Sequence, residues 1–313
     1  MVFVILLSGG LLLALPGLAH RLARRVPPEH WARASAAALV VGAAMVQLTA
    51  LLVAAPTVLR ALGVHALAAA CERLLGPMTP GGDVVGWTAA ALSVALPVLV
   101  GRRVATAVRT RRQLEVEPWL GDHQPWEGHD LVVLPTDEVL AFSVGGPSSQ
   151  IVVSRRLVAA LSPPQLQAVL RHEAAHLAHR HQRFLLVANA LDVRLPYVLG
   201  PLRRSTASLR VALERWADEA AAGSDPHARY DLRDALFTTV TAAVNATVPA
   251  FSTADTVLER LRALEAPPAR LAPGGHAVLS SPALALTVLG LAALAFWMGD
   301  IQVVLAMAGR CPA

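Results

Sequence analysis

Four stretches of the chain are almost wholly apolar and interrupt an otherwise mixed pattern. They cover residues 2–19, 36–58, 84–100 and 283–307. An α-helix rises 1.5 Å per residue, so about 20 apolar residues cross the ~30 Å hydrocarbon core of a bilayer. We therefore predict four transmembrane helices. The alternative is that the third or the fourth stretch forms a buried helix of a soluble domain.

Between the third and fourth stretches the pattern changes to shorter strands and helices. Three segments rich in β-branched residues predict strands, the last two paired as a hairpin around the turn sequence GGPSS: 131–134, 139–144 and 150–154. Ser162 then predicts a helix N-cap, and Pro163 suits the first helical position of a segment with apolar residues at helical spacing. A second helical pattern covers 209–223 and ends at Gly223, a plausible C-terminal cap.

These elements predict a mainly α, integral membrane protein with three parts. Residues 1–100 would hold three transmembrane helices, 101–281 a cytoplasmic α+β domain, and 282–313 the fourth helix with a short external tail. The domain segment is long enough to form its own core.

Composition and charge agree with a membrane protein and suggest its orientation. Hydrophobic residues make up 55% of the 313 positions, and the net charge is +5. The basic residues are all arginines, and they cluster beside the apolar stretches, so we expect no direct nucleic-acid binding. Arginine is in excess in the loop 20–35 and after residue 100, and the positive-inside rule places both in the cytoplasm. The prediction is a multi-pass protein of the inner (plasma) membrane with both termini outside.

The two cysteines fall on the same predicted side of the membrane. Cys71 lies in the external loop and Cys311 in the external tail. An oxidising exterior permits a disulfide between them, and the alternative is two free or buried cysteines.

The segment RHEAAHLAHRHQ, at 171–182, lies inside the first predicted helix of the domain. His172 and His176 are four residues apart, so both side chains project from one helix face and can bind one metal ion. Zinc lowers the pKa of a bound water towards ~7, and Glu173 is placed to take the proton of that water. Histidine and carboxylate ligands suit Zn²⁺ better than Mg²⁺ or copper.

A catalytic zinc needs a third protein ligand and an open fourth position. Glu214, in the second helical pattern, completes a set of two histidines and one glutamate. Asp218, on the same helix face, can accept the other ring N–H of a ligand histidine. The alternative for both is a solvated acidic face. For His179 and His181 we predict a solvated polar helix end with no role at the metal.

The segment IVVSRRLVAALSPPQLQAVLRHEAAHLAHRH, followed by ERWADEAA, resembles the membrane gluzincins. These include the HtpX-type and CAAX-prenyl-protease-type peptidases and, closer still, the BlaR/MecR-type integral membrane metallopeptidases. The resemblance covers about residues 131–265. It implies one zinc ion per chain, with His172, His176 and Glu214 as its ligands. It also implies Glu173 as the general base and Asp218 as a carboxylate that orients a ligand.

Two departures from the family pattern bear on function. The sequence ends at Ala313, and no penicillin-binding sensor domain follows the last predicted span, so antibiotic sensing is not expected. The segment FSTADTVLERLRAL resembles the H-P-x-x-x-x-R segment of the HtpX-type enzymes, in which the histidine helps to stabilise the oxyanion. Ala254 stands in place of that histidine, and Arg260 in place of the arginine. Candidates for stabilising the oxyanion are therefore Arg260, His227 and Tyr230.

Together these features predict a membrane-embedded zinc endopeptidase that cleaves a cytoplasmic or membrane-proximal protein. The resemblance implies a helix-turn-helix repressor as substrate, besides contact with the lipid bilayer, and the hairpin at 139–154 could accept substrate as an added strand. One alternative is a proteolytically inactive, zinc-binding signalling or scaffold protein, favoured by the missing oxyanion histidine. Another is a prenyl-protein protease, for which four spans are too few.

Overall fold

A computed structural model describes residues 2–75, 82–113, 121–145, 149–192, 200–245 and 254–267. This part of the chain is mainly helical, with one small sheet. The helices are α1 (Val2–Leu18), α2 (His20–Ala23), α3 (Pro28–Ala61), α4 (His65–Leu75), α5 (Gly82–Gln113), α6 (Arg155–Ala160), α7 (Pro163–Ala178), α8 (His181–Leu191), α9 (Gly200–Ala222), α10 (Pro226–Asn245) and α11 (Ala254–Glu265). The strands are β1 (Asp122–Trp126), β2 (His129–Leu134), β3 (Ala141–Val144) and β4 (Gln150–Ser154).

The first three apolar stretches are helical, as α1, α3 and α5. Two of these helices, α3 and α5, are long and apolar enough to cross a membrane. The most apolar window of α5 is 6% buried and that of α3 is 28% buried, so neither is enclosed like the core helix of a soluble domain. These two helices suggest membrane association. Four transmembrane helices are not confirmed, since α1 is shorter and residues 283–307 lie outside the described part of the chain.

Close contacts between the apolar helices occur at glycines. A Cβ atom on Gly42 of α3 would lie 2.8 Å from the main-chain oxygen of Gly9 in α1. A Cβ on Gly86 of α5 would likewise overlap the side chain of Thr57 in α3. Small residues let helix backbones approach closely, which is how helices pack when no water is present to drive burial.

One end of each apolar helix contacts the rest of the protein. At the C-terminal end of α1, Gly17 N–H donates to Ser205 Oγ of α9 at 2.9 Å. At the N-terminal end of α3, Trp31 Nε1 donates to Ser208 Oγ of α9 at 3.1 Å. Late in α5, Arg103 donates to the main-chain oxygen of Asp192. Because the chain reverses direction between these helices, the same end of the bundle contacts α8 and α9.

The hydrophobic core joins the bundle to the following domain. One buried cluster combines residues of the α2–α3 region, such as Leu39, with Leu209 and Leu213 of α9. The predicted boundary between residues 100 and 101 lies inside α5, which continues to Gln113. The division of the chain into 1–100, 101–281 and 282–313 stays a prediction.

The sheet has the strand order β1-β2-β4-β3. Its β3–β4 pair is antiparallel, as predicted for the hairpin, whereas β2 and β4 are parallel. The strand β1 was not predicted. It pairs with β2 through a two-residue turn, Glu127 and Gly128, whose φ angles of 44° and 84° are both positive. A turn with two positive φ angles matches the twist of the flanking strands, so it favours a hairpin.

Helix α7 begins where the sequence predicts. The Ser162 side chain and the Gln165 side chain cap each other's main-chain N–H groups, and Pro163 follows at the first helical position. Apolar residues of this helix, among them Leu170, pack on Ile151 and Val153 of β4. Helix α9 begins at Gly200, nine residues before its predicted start, and ends just before Gly223, whose φ of 56° requires a residue that tolerates the left-handed region.

Candidate metal site

Helices α7 and α9 bring three of the predicted site residues together. The Nε2 atoms of His172 and His176 are 3.1 Å apart on one face of α7. From α9, the Glu214 carboxylate lies 3.5 Å from His172 Nε2 and 3.7 Å from His176 Nε2. In the described part of the chain these three residues form a group that could hold a metal ion, with ligand atoms within 4.8 Å of one another.

The spacing of these ligand atoms fits a small tetrahedral ion. Ligand atoms at 2.0–2.1 Å from zinc, at the corners of a tetrahedron, lie roughly 3.3 Å apart. The three observed separations fall on either side of that value. The His172 and His176 side chains are 8% and 12% exposed, whereas Glu214 is 31% exposed. The cluster is therefore open to solvent on one side, as a catalytic site with a free fourth position requires.

Two further residues, Asp218 and Arg260, contact residues of the cluster. Asp218 Oδ1 lies 2.9 Å from His172 Nδ1, the ring nitrogen that points away from the cluster. Arg260 of α11 donates to both oxygens of Asp218, at 2.9 and 2.7 Å. A third nitrogen of Arg260 lies 3.0 Å from Glu214 Oε2. The Arg260 guanidinium thus contacts both Glu214, a candidate ligand, and Asp218, which lies against the candidate ligand His172.

Charge coupling keeps both carboxylates ionised. Burial alone would raise the pKa of Glu214, but the Arg260 guanidinium and His172 lower that pKa to about 2. Burial also opposes ionisation of Asp218, and Arg260 and His172 again hold its pKa well below the usual range. For His172, burial lowers the pKa, but the hydrogen bonds to Asp218 and Glu214 outweigh it and raise the pKa to about 9. The pocket therefore holds two ionised carboxylates beside the histidine pair.

Glu173, the predicted general base, is buried beside the cluster with 8% of its surface exposed. Glu173 is not one of the three clustered ligands. Its role as the general base stays a prediction.

The prediction of a solvated helix end is wrong for His181. Its side chain is fully buried, and its Nδ1 atom is 2.8 Å from Nδ1 of His176. Burial lowers the pKa of His181 to about 3, so the ring is neutral. His179 is exposed, as predicted, although its ring lies 4.8 Å from that of Trp216, centre to centre.

The other predicted residues have contacts elsewhere or lie outside the described chain. The main-chain N–H of His227 donates to Asp225 Oδ1 at 2.9 Å, at the start of α10. Tyr230 is 60% exposed, with the Arg233 guanidinium 5.5 Å from its ring centre. Their role at the oxyanion, like that of Arg260, stays a prediction.

The predicted disulfide also stays a prediction. Cys71 lies in α4, between the second and third apolar helices, and is partly exposed. Cys311 lies outside the described residues.

Comparison with known proteins agrees with this site. Residues 122–210 match the profile of peptidase family M48. The match runs from β1 into α9, so it includes His172, Glu173 and His176 but stops before Glu214. No curated protein and no solved structure gives a significant match to the chain. The match supports an M48-type metallopeptidase, and a BlaR/MecR-type identity is not confirmed.

Proposed function

We propose that the protein is a zinc-dependent endopeptidase whose active site lies next to the membrane. The proposal depends mainly on one observation, the convergence of His172, His176 and Glu214 within 4.8 Å from two different helices. Two imidazoles and a carboxylate are a usual ligand set of catalytic zinc, whereas structural zinc sites are usually closed by four ligands, often cysteines. The match to a metallopeptidase family over the same segment agrees with this assignment.

Each residue of the site has a chemical task in this proposal. A zinc ion held by the three ligands would polarise the scissile carbonyl and lower the pKa of a water molecule. Glu173 would accept the proton of the attacking water and return it to the leaving amine. Asp218 would fix the ring of His172, and Arg260 would offset one of the two negative charges of Asp218 and Glu214.

The substrate would bind as an extended strand along β3, the edge strand next to β4. Ser154 N–H donates to the main-chain oxygen of Leu140 at 3.0 Å, just before β3 begins. Hydrogen-bonded pairs alternate in an antiparallel ladder, so the main-chain groups of Ala141 and Ser143 point away from β4. In this proposal these outward groups pair with the main chain of the substrate.

A Ser143→Pro variant tests this substrate edge. Proline at position 143 removes an outward N–H, which an edge strand tolerates, so cleavage should fall while zinc binding is unchanged. The matched Ser143→Ala variant should cleave like wild type. Full activity of the proline variant would show that substrate does not pair with β3.

The Glu173→Gln variant tests the proposed function itself. Purified wild-type protein should contain one zinc per chain and cleave a labelled, unfolded casein, and Glu173→Gln should keep the zinc but lose about 10²- to 10⁴-fold in rate. Glu265→Gln, at an exposed position of α11, serves as the control. A zinc-loaded wild-type protein that cleaves no more than Glu173→Gln would favour the alternative, an inactive signalling or scaffold protein.

For the natural substrate we propose a cytoplasmic or membrane-proximal protein, with a helix-turn-helix repressor as the first candidate by family resemblance. Cellular peptides of wild type and Glu173→Gln should differ by the fragments of that substrate. A repressor that stays intact in wild-type cells would remove this candidate without affecting the assignment as a peptidase.

We also propose that the protein lies in the inner membrane with its metal-site domain in the cytoplasm. The connection between α3 and α5 would then lie on the external side of that membrane. In a Cys311→Ser background, a membrane-impermeant maleimide added to intact cells should label Cys71. Labelling of Cys71 only after cell lysis would reverse the orientation.

A further inference from the structure

We infer that His181 is a positioning residue for His176. In this arrangement His181 Nδ1 accepts the Nδ1–H of His176 and so directs the lone pair of His176 Nε2 to the metal position. The inference deepens the proposed zinc site and rests on it.

The argument begins with the two nitrogens of His176. Its Nε2 atom lies 3.1 Å from His172 Nε2, inside the ligand cluster, so this atom must carry a lone pair to bind an ion. A neutral imidazole then carries its hydrogen on Nδ1. That Nδ1 is 2.8 Å from Nδ1 of His181, a normal hydrogen-bond distance. The geometry therefore requires His181 to be the acceptor.

The surroundings of His181 leave the His176 ring as its hydrogen-bond partner in the described part of the chain. The side chain is fully buried, so water does not compete for its Nδ1. Its other nitrogen, Nε2, has no hydrogen-bond partner among the residues that the structure describes. The contact with His176 is therefore the hydrogen bond that determines which nitrogen of His181 carries the hydrogen.

Aromatic packing fixes the ring of His181. Trp216 of α9 lies 4.7 Å from it, centre to centre, and is itself 6% exposed. The Arg33 guanidinium of α3 also lies over the indole, 4.9 Å from the ring centre. Trp216 is two residues from Glu214, so one helix supplies both the third ligand and the support for His181.

The backbone before His181 is also unusual. Arg180 connects α7 to α8 with φ 53° and ψ 42°, in the left-handed region that residues other than glycine rarely adopt. Such a conformation is strained for an L-residue, because its Cβ atom comes too close to the following carbonyl oxygen. It reverses the chain so that His181, five residues after His176, returns to contact that ring.

The two histidine ligands thus have different partners behind them. His172 has the carboxylate of Asp218 at 2.9 Å, and His176 has the neutral ring of His181 at 2.8 Å. Partners of this kind fix the orientation of the ligand ring, and their loss typically weakens metal binding by about 10- to 100-fold.

The test compares zinc affinity in full-length, detergent-purified protein. His181→Phe keeps an aromatic ring against Trp216 but removes the acceptor, and it should weaken zinc binding, measured by chelator competition, by about 10- to 100-fold. His181→Asn can place its side-chain oxygen near the position of Nδ1, and it should restore affinity to within about 3-fold of wild type. The visible absorption of the Co²⁺-substituted protein should change in the phenylalanine variant and return in the asparagine variant.

The matched control is His179→Phe, the same substitution two residues earlier and against the same indole. It should leave zinc affinity and the Co²⁺ spectrum unchanged. If His181→Phe does not fold, judged by thermal unfolding of the metal-free protein, the comparison is made between His181→Asn and the similarly shaped His181→Leu.

Two results would overturn the inference, and they can be told apart. A wild-type protein that binds no zinc would overturn the proposed function together with this inference. A wild-type protein that binds zinc no more tightly than His181→Phe, with the same Co²⁺ spectrum, would overturn the role of His181 alone.

Discussion

Behind the α7–α9 cluster, the charged side chains of Asp218 and Arg260 are buried, whereas the α1–α3 contact consists of glycines and apolar residues in a bundle whose outer faces are exposed. Asp218 is 2% exposed and still ionised, because Arg260 and His172 surround it. By contrast, the apolar side chains of Leu7 in α1 and Val94 in α5 are 57% and 64% exposed. In water, both arrangements are unfavourable: the buried charge in the cluster and the exposed apolar side chains in the bundle.

The difference shows what each region requires from its surroundings. Buried charges are stable when every charge has a partner, so the site depends on a few exact pairs. Large exposed apolar surfaces are uncommon on soluble monomers, and a bilayer removes their cost. The cluster should therefore be sensitive to single polar substitutions, and the bundle to changes of volume at its glycines.

The largest loss in the free energy of unfolding is expected from Arg260→Met, in the charged cluster. Without the guanidinium, the buried carboxylate of Asp218 loses its cationic partner, and breaking such a pair costs about 3–5 kcal/mol, while the partly buried Glu214 loses a second contact with positive charge. The loss should be measured as the free energy of unfolding of the metal-free protein. Added zinc should recover part of it, because the ion supplies positive charge to Glu214.

The control for this prediction is Arg262→Met on the same helix, at an exposed position. It should change stability by no more than ~0.5 kcal/mol. Equal effects of the two substitutions, or no recovery with zinc, would show that Arg260 does not neutralise the site.

A smaller effect is expected in the bundle from Gly42→Ala. The added Cβ would lie 2.8 Å from Gly9 O and 3.0 Å from Leu13 N, and these are backbone atoms that cannot turn aside. Forcing α1 and α3 apart should cost about 1–3 kcal/mol, measured by unfolding in detergent.

Gly10→Ala is the matched control for the helix contact. A Cβ on Gly10 meets nothing within 4 Å, although it gains the same helix propensity. The difference between the two variants isolates the contact between α1 and α3. If Gly42→Ala is as stable as Gly10→Ala, the two helices do not pack at this point in the membrane.

Local sequence signals predicted the elements that carry the ligands. The cap at Ser162 and Pro163 and the helical spacing of apolar residues are properties of neighbouring positions, so they are readable without the fold. The same holds for Gly223, whose positive φ closes α9. From these signals follow two helices, one with the histidine pair and one with Glu214.

Contacts between distant segments could not be predicted in this way. The sequence of β1, DHQPW, contains a proline and little β-propensity, and it becomes a strand because it pairs with β2 at the sheet edge. The dipeptide Glu127-Gly128 was the available signal for that hairpin. For His181, burial depends on Trp216, which is 35 positions later in the chain, and on the turn at Arg180.

The smallest effect concerns the junction between the two regions, where the N–H of Gly17 donates to Ser205 Oγ at 2.9 Å. Ser205 is fully buried, and Ser205→Ala removes this hydrogen bond, which should cost about 0.5–1.5 kcal/mol of unfolding free energy in detergent. Ser208→Ala, three residues later, removes a bond to the Trp31 indole at a partly exposed position and should cost less, about 0.5–1 kcal/mol. Since both serines lie on the helix that carries Glu214, zinc affinity should fall with stability in Ser205→Ala if the apolar helices support the metal site. Unchanged affinity in a destabilised Ser205→Ala protein would show instead that α9 holds Glu214 in place without help from α1.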